Sequence, residues 1–169
     1  MNVKPLTPEI VVAGFDCGDS DLNDFLLEDA LHFYEKRIAN TFVLEDEGKI
    51  VAYFCLLNDK VSRLEITNSR WKEIRDTFPD GKHFRSYPSI KIGRFAVSTD
   101  YRGQNIGSLL MDLLKDQLLE EHSSSAFRFI TVDAYVSAIP FYERNGFKLL
   151  KEKDENEYTR LMFFDMLDI

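Results

Sequence analysis

Cysteine, histidine, proline and glycine are all scarce in this chain, and the first two shortages close whole classes of protein. Among 169 residues there are two cysteines, three histidines, five prolines and eight glycines. Cys17 and Cys55 make no disulfide framework and fit a reducing cytoplasm as free, partly buried thiols. His32, His83 and His122 stand apart, so no His/Cys cluster has metal spacing and no metal is expected. Long apolar runs are absent too. Nothing approaches the roughly 18 residues of a membrane-spanning helix. The start, Met-Asn-Val-Lys-Pro-Leu-Thr-Pro, lacks the apolar centre of a signal peptide. Positive charge is short: 21 Lys and Arg against 29 Asp and Glu leave a net charge of −8 and a pI near 4.9. Nucleic-acid binding normally needs a basic footprint. The balance therefore disfavours a nucleic-acid partner, although Lys82, His83, Arg85, Lys91 and Arg94 lie close enough in sequence to form a local basic patch. An acidic surface suits cationic substrates such as amines or lysine-bearing proteins.

What is present describes a folded chain. Hydrophobic residues make up 44%, and the 30% of charged residues are mixed in sign, which excludes disorder. Residues 1–169 are expected to form one domain with a substantial core. There is no internal repeat, low-complexity tract or linker. Residues 2–7 read as an edge strand, with Pro5 tolerated there. Asp19 or Ser20 caps a helix over 20–36 with apolar positions Leu22, Phe25, Leu26, Ala30 and Phe33. Strands follow at 39–45 and 50–57 around a hairpin turn at Asp46-Glu47-Gly48-Lys49. The pattern breaks over 58–86, where Trp71, Ile74 and Phe78 suggest a short helix before the turn Pro79-Asp80-Gly81. Further strands are expected at 89–97, 127–132, 147–152 and 158–165, and helices at 105–120 and 137–145. The charge run Glu152–Glu157 reads as a solvated turn. The mixed order predicts an α+β fold around a mostly antiparallel twisted sheet.

The most informative stretch runs from Ile92 to Ser108: an apolar strand, a turn holding Arg102-Gly-Gln-Asn-Ile-Gly107, then a helix with Leu109, Leu110, Leu113, Leu114 and Leu118 on one face. A helix begins with backbone N–H groups that have no intrahelical partner, and its dipole is positive there, so this turn suits a phosphate. Further along comes Ala138-Ile-Pro-Phe-Tyr-Glu-Arg-Asn-Gly-Phe147. With both stretches the chain resembles the GCN5-related N-acetyltransferases, the GNAT family, whose loop R/Q-x-x-G-x-G/A is followed downstream by F-Y-x-x-x-G-F. The segment Phe15-Asp-Cys-Gly-Asp-Ser-Asp-Leu-Asn-Asp-Phe-Leu27 is similar to the opening of the branch that includes acetyltransferase toxins of toxin–antitoxin pairs, which acetylate aminoacyl-tRNA.

The resemblance implies an αβα-layered GNAT fold: a seven-stranded sheet splayed between strands four and five, flanked by helices, with acetyl-CoA as cosubstrate in the splay. It implies that the backbone of Phe95, Ala96 and Val97 pairs with the pantetheine arm. Phe95 and Val97 would also be core side chains, and one of their N–H groups would polarise the thioester carbonyl. Arg102, Gly103, Gln104, Asn105, Ile106, Gly107 and Ser108 match the pyrophosphate loop. Asn105 stands where the family usually has Gly, and Asn is the next most tolerant residue for a left-handed backbone. Tyr142 matches the general acid that protonates the departing thiolate. Tyr135 stands where the family commonly has an Asn that touches the cofactor, with Asp133 or Ser137 as replacements. No acid lies on Ser89–Val97, so the base is unassigned, with Glu65, Asp59 and His83 as weak candidates. The 58–86 insert would shape the acceptor side. The Phe/Met-rich final strand would be buried and would offer an edge for a homodimer.

Three functions follow as expectations. The first is a bacterial, cytoplasmic acetyl-CoA-dependent N-acetyltransferase acting on a primary amine of a small molecule or protein. The second is a toxin-type acetyltransferase of aminoacyl-tRNA, which the acidic charge disfavours and which would come with an antitoxin. The third is a CoA-binding module without catalysis.

Overall fold

A computed structural model describes residues 1–78, 84–120, 125–151 and 156–169. Seven strands form one sheet in the order β1-β2-β3-β4-β5-β7-β6: β1 (Asn2–Pro5), β2 (Asn40–Asp46), β3 (Lys49–Ser62), β4 (Ser86–Val97), β5 (Phe129–Tyr135), β6 (Lys148–Leu149) and β7 (Thr159–Asp165). Its pairs are mostly antiparallel, β4 and β5 being parallel. Helices α1 (Ser20–Asp24), α2 (Ala30–Glu35), α3 (Asn68–Arg75), α4 (Ile106–Glu120) and α5 (Ile139–Arg144) flank it. This is the α+β architecture that the sequence implies. The chain divides into two compact units, Met1–Leu57 with Ile92–Ser124 and Asn58–Lys91 with Ser125–Ile169.

In the first unit, β2 and β3 are joined by Glu47-Gly48, both at positive φ (48° and 80°), with Asp46 paired to Lys49. Two positive φ values make the mirror-image turn that follows the twist of a hairpin, and Gly48 takes its half without strain. Asp19 caps α1 by accepting from the Leu22 N–H at 3.2 Å. The expected single helix over 20–36 is interrupted: Phe25–Asp29 form a π-helical turn between α1 and α2. The wider turn lets Phe25, Leu26 and Ala30 all be buried, while Phe33 is left at the edge, against Phe25 at 5.3 Å. Tyr53 lies fully buried between Phe15 and Phe25, and its hydroxyl donates to the Leu22 carbonyl at 2.7 Å. A buried phenol needs such a partner. Helix α4 buries Ile106, Leu110, Met111, Leu114 and Leu118, whereas Leu109 is exposed, so the apolar stripe is rotated from the one expected.

In the second unit, the region after residue 57 is more ordered than its pattern suggests. Strand β3 continues through Asn58-Asp59-Lys60 to Ser62, and β4 begins at Ser86 rather than 89. The polar run hid the strand because only Val61 of its last five residues is buried. Thr67 caps α3 through its hydroxyl, Trp71 and Ile74 are buried, and Phe78 stacks on Tyr87 at 4.0 Å. The segment is thus an anchored part of the core around Val61, Tyr87, Phe129 and Phe163. The expected turn at 79–81 and most of the charge run 152–157 lie outside the described residues. Strand β5 runs on to Tyr135, and β6 is only two residues long. Strand β7 is paired on both sides, with β5 and β6, so the last strand offers no free edge, contrary to expectation. Arg128 closes this unit with a two-pronged bond to Asp165 (3.0 and 2.7 Å) and stacks over Phe78.

Cys55 supplies a pH test of the first core. Burial pushes its thiol from 9.0 up to about 11. A raised acid favours the folded state while neutral, so this stability is whole below pH 9 and is lost as pH rises through about 11. Chemical denaturation should show about 2–3 kcal/mol lost over that window, and Cys55→Ala should flatten the loss.

Candidate functional site

The first unit carries the strand, loop and helix in continuous order. At the end of β4, Ala96 is buried in the core, while Phe95 and Val97 are half-buried. The Ser98 N–H donates to the Val51 carbonyl at 2.8 Å, and Thr99–Tyr101 form a short 3-10 turn. Arg102, Gly103, Gln104 and Asn105 are exposed, Ile106 is buried, and Gly107 and Ser108 are half-buried. Gly103 has φ +75° and open space where a side chain would go, so it is there for its backbone angle. Asn105 has φ +59°, which is why an Asn can replace the customary Gly. The first intrahelical bond runs from the Leu109 N–H to the Asn105 carbonyl at 3.1 Å. The N–H groups of Ile106, Gly107 and Ser108 precede it, and they sit at the positive end of a 15-residue helix.

A second segment holds this loop in place. The Asp16 carbonyl accepts from both the N–H (2.8 Å) and the hydroxyl (3.1 Å) of Thr99, and the Cys17 carbonyl accepts from Arg102 Nη2 at 2.5 Å. The Asp16 carboxylate accepts from the Gly18 N–H and from Asn23 Nδ2, both at 2.8 Å, while Asn23 Oδ1 accepts from the Cys17 N–H at 2.9 Å. The Gly18 bond, then Asn23, holds the Asp16 carboxyl below its ordinary value. A Cβ on Gly18 would stand 3.1 Å from Arg102 Nη2, and φ there is +78°. The segment that resembles the toxin branch is therefore a knot of hydrogen bonds on the phosphate-type loop. Sequence reading singled out Asp16, Gly18 and Asn23 as a motif but gave them no role, since their partner Thr99 lies 83 residues away. Arg102 spends a guanidinium nitrogen on this knot.

The second unit carries Tyr142. Helix α5 starts at Ile139 with Pro140 in its first turn, and the chain leaves it through Gly146, whose φ is +86° and whose Cβ would meet the Phe164 ring at 3.0 Å. Glycine is required there for both reasons. Tyr142 is 6% exposed, edge-on to Phe141 and Phe147, and burial pushes its phenol up, so it stays protonated. Tyr135 is exposed at the end of β5, as is Ser137 beyond it, and Asp133 is taken up by Lys91. Of the weak base candidates, Glu65 is exposed, His83 lies outside the described residues, and Asp59 accepts from the Thr131 hydroxyl at 2.6 Å.

The residues of the expected basic patch fare differently. Lys82 and His83 lie outside the described residues, Arg94 pairs with Asp21 at 3.4 Å over the Phe25 ring, and Lys91 pairs with Asp133. Charge is nevertheless uneven. The 34 residues 58–91 hold eight of the 21 Lys and Arg and five of the 29 Asp and Glu, a net +3, leaving −11 for the rest. The overall −8 thus says little about any one surface. Among the described residues no helix is long and apolar enough to cross a membrane.

A family model described as acetyltransferase (GNAT) domain matches residues 83–167, just over half of the chain. A tRNA-acetylating toxin of Mycobacterium tuberculosis is 25% identical over 139 residues, 82% of this chain and 78% of that protein. Among solved structures, a tyrosine-to-phenylalanine mutant of KacT matches with a TM-score of 0.80 at 22% identity, over 99% of this chain and 95% of that one. AtaT complexed with acetyl-methionyl-tRNAfMet matches with a TM-score of 0.76 at 23% identity, again over 99% and 95%.

Asn105 gives the loop its test. Asn105→Gly should leave acetyl-CoA affinity within about twofold, whereas Asn105→Ala should weaken it about tenfold by titration calorimetry, because the left-handed backbone that Gly and Asn tolerate costs Ala about 1–2 kcal/mol.

Proposed function

The chain belongs to the GNAT acetyltransferase family, and from that premise we propose that it moves an acetyl group from acetyl-CoA to the α-amino group of an aminoacyl-tRNA. The observation that carries this choice of acceptor is the 25% identity to a tRNA-acetylating toxin across 82% of the chain. The basic excess of residues 58–91 removes the objection drawn from the net charge, because counter-ion release depends on the local footprint. The α-amino group of an aminoacyl ester is a primary amine, so the broader expectation of an amine acceptor contains this one. Family membership supports an enzyme over a silent CoA-binding module.

The chemistry needs an anchored thioester, a polarised carbonyl and a proton for the leaving thiolate. In this reading the backbone N–H groups of Gly103 to Ser108 bind the pyrophosphate. The Asp16–Thr99 and Cys17–Arg102 bonds keep those groups aimed without ligand. The backbone of Phe95, Ala96 and Val97 holds the pantetheine arm in extended form, and an N–H of Phe95 or Val97 polarises the carbonyl. Tyr142 supplies the proton to sulfur. Its burial keeps that proton in place at physiological pH.

Expression in growing bacteria should arrest growth, and mass spectrometry of the charged tRNA should find N-acetylated aminoacyl ends. Tyr142→Phe should cut turnover by about 10²–10⁴-fold and restore growth. Harmless expression with no acetylated tRNA would remove this acceptor.

A further inference from the structure

On one face of β3, β4 and β5, in the second unit, the buried side chains change abruptly from apolar to polar. Val61, Tyr87 and Phe129 belong to one apolar cluster. Side chains two residues apart share a face of a strand. The neighbours of those three on the same face are therefore Asp59, Ser89 and Thr131. Strand β4 lies between β3 and β5, so the three form a row across the sheet. The Thr131 hydroxyl donates to Asp59 Oδ2 at 2.6 Å, over the intervening strand. One step further, Lys91 pairs with Asp133.

Two features of this row ask for a ligand. Ser89 is 2% exposed, and its hydroxyl has no hydrogen-bond partner. Leaving such a group unpaired costs roughly 1–3 kcal/mol. Beside it, Asp59 is only half-buried, and its Oδ1 stands outside the Thr131 bond. Thr131, 1% exposed, spends its single proton on Asp59, so what the row offers is acceptors: a carboxylate oxygen and the Ser89 lone pairs. Lys91, two residues on from Ser89 along β4, is committed to Asp133. A group with several donors and a positive charge fits this set, and a primary ammonium is such a group.

We propose that Asp59, Ser89 and Thr131 seat the amino group of the acceptor, with Asp59 taking its proton. This rests on the reading above only in that the acceptor is an amine. The ammonium gives one proton to Asp59, which frees the nitrogen lone pair. The N–C bond then forms and the C–S bond breaks. The Tyr142 phenol protonates the departing sulfur and is restored by the second proton, which leaves the nitrogen. The products are the amide and the thiol, and Asp59 returns its proton to water.

The experiment compares the full chain with Asp59→Asn and Ser89→Ala, using methionyl-tRNA and methionine methyl ester as acceptors. Asparagine keeps an oxygen for Thr131, so Asp59→Asn tests the charge. It should lower kcat/KM about 100-fold for each acceptor that the unsubstituted chain uses, with acetyl-CoA affinity and melting temperature unchanged. Ser89→Ala should raise the acceptor KM about five- to tenfold. Without acetyl-CoA, millimolar methionine methyl ester should raise the melting temperature of the unsubstituted chain saturably and leave that of Asp59→Asn unmoved. Turnover of Asp59→Asn within threefold of the parent, or an equal rise in melting temperature, overturns the seat. If both proteins acetylate methionyl-tRNA equally, the seat fails while the tRNA reading stands. If the parent acetylates the ester but not the tRNA, and Asp59→Asn does not, the seat stands and the tRNA reading fails.

Discussion

A helix cannot satisfy its own first N–H groups, and the first unit is arranged around that constraint. Helix α4 begins at Ile106 with its first internal bond made by Leu109, so the N–H groups of Ile106, Gly107 and Ser108 precede that bond at its positive end. To deliver the chain to that point after β4, the backbone must pass twice through the left-handed region, at Gly103 and Asn105. Such a loop has little to hold it by itself. Rigidity comes from outside, through the carbonyls of Asp16 and Cys17, which bind Thr99 and Arg102. Those carbonyls are in turn oriented by the Asp16 carboxylate and Asn23 amide closing a small ring of bonds before α1. Pre-ordered donors cost no reorganisation when an anion arrives, which is the physical basis for their use in binding and catalysis.

Burial of polar side chains is the second theme. Tyr53 is wholly buried but donates to the Leu22 carbonyl, so it is a structural phenol that pins the start of the helical segment to β3. Tyr142 is nearly as buried, among Phe141 and Phe147, and the low-dielectric surroundings favour its neutral form. The Asp59–Ser89–Thr131 row differs from both, because an acceptor-rich set has been placed where apolar side chains would have packed more cheaply.

Much of this was legible in the chain. The helix α4 with its glycine-bearing approach, the hairpin at Glu47-Gly48, and the stop of α5 before Gly146 all follow from residue type and spacing, since each is a local demand of the backbone. The polar end of β3 was not legible, because strand signals rest on apolar alternation and residues 58–60 have none. The π-turn at Phe25–Asp29 was not legible either. It is settled by how Phe25 and Leu26 pack, and no residue in it breaks a helix. Net charge says little about partners because it averages over a chain whose residues 58–91 are basic and whose remainder is strongly acidic.

The sequence alone determined the family, the order of elements and the phosphate-type loop, because these rest on short-range steric rules and on motifs contiguous in the chain. Tertiary structure alone decided what Asp16, Asn23 and Thr99 are for. It also decided that β7 is an inner strand and that Asp59, Ser89 and Thr131 share one row. Those facts depend on strand pairing and long-range hydrogen bonds, which join residues that nothing in their local sequence connects.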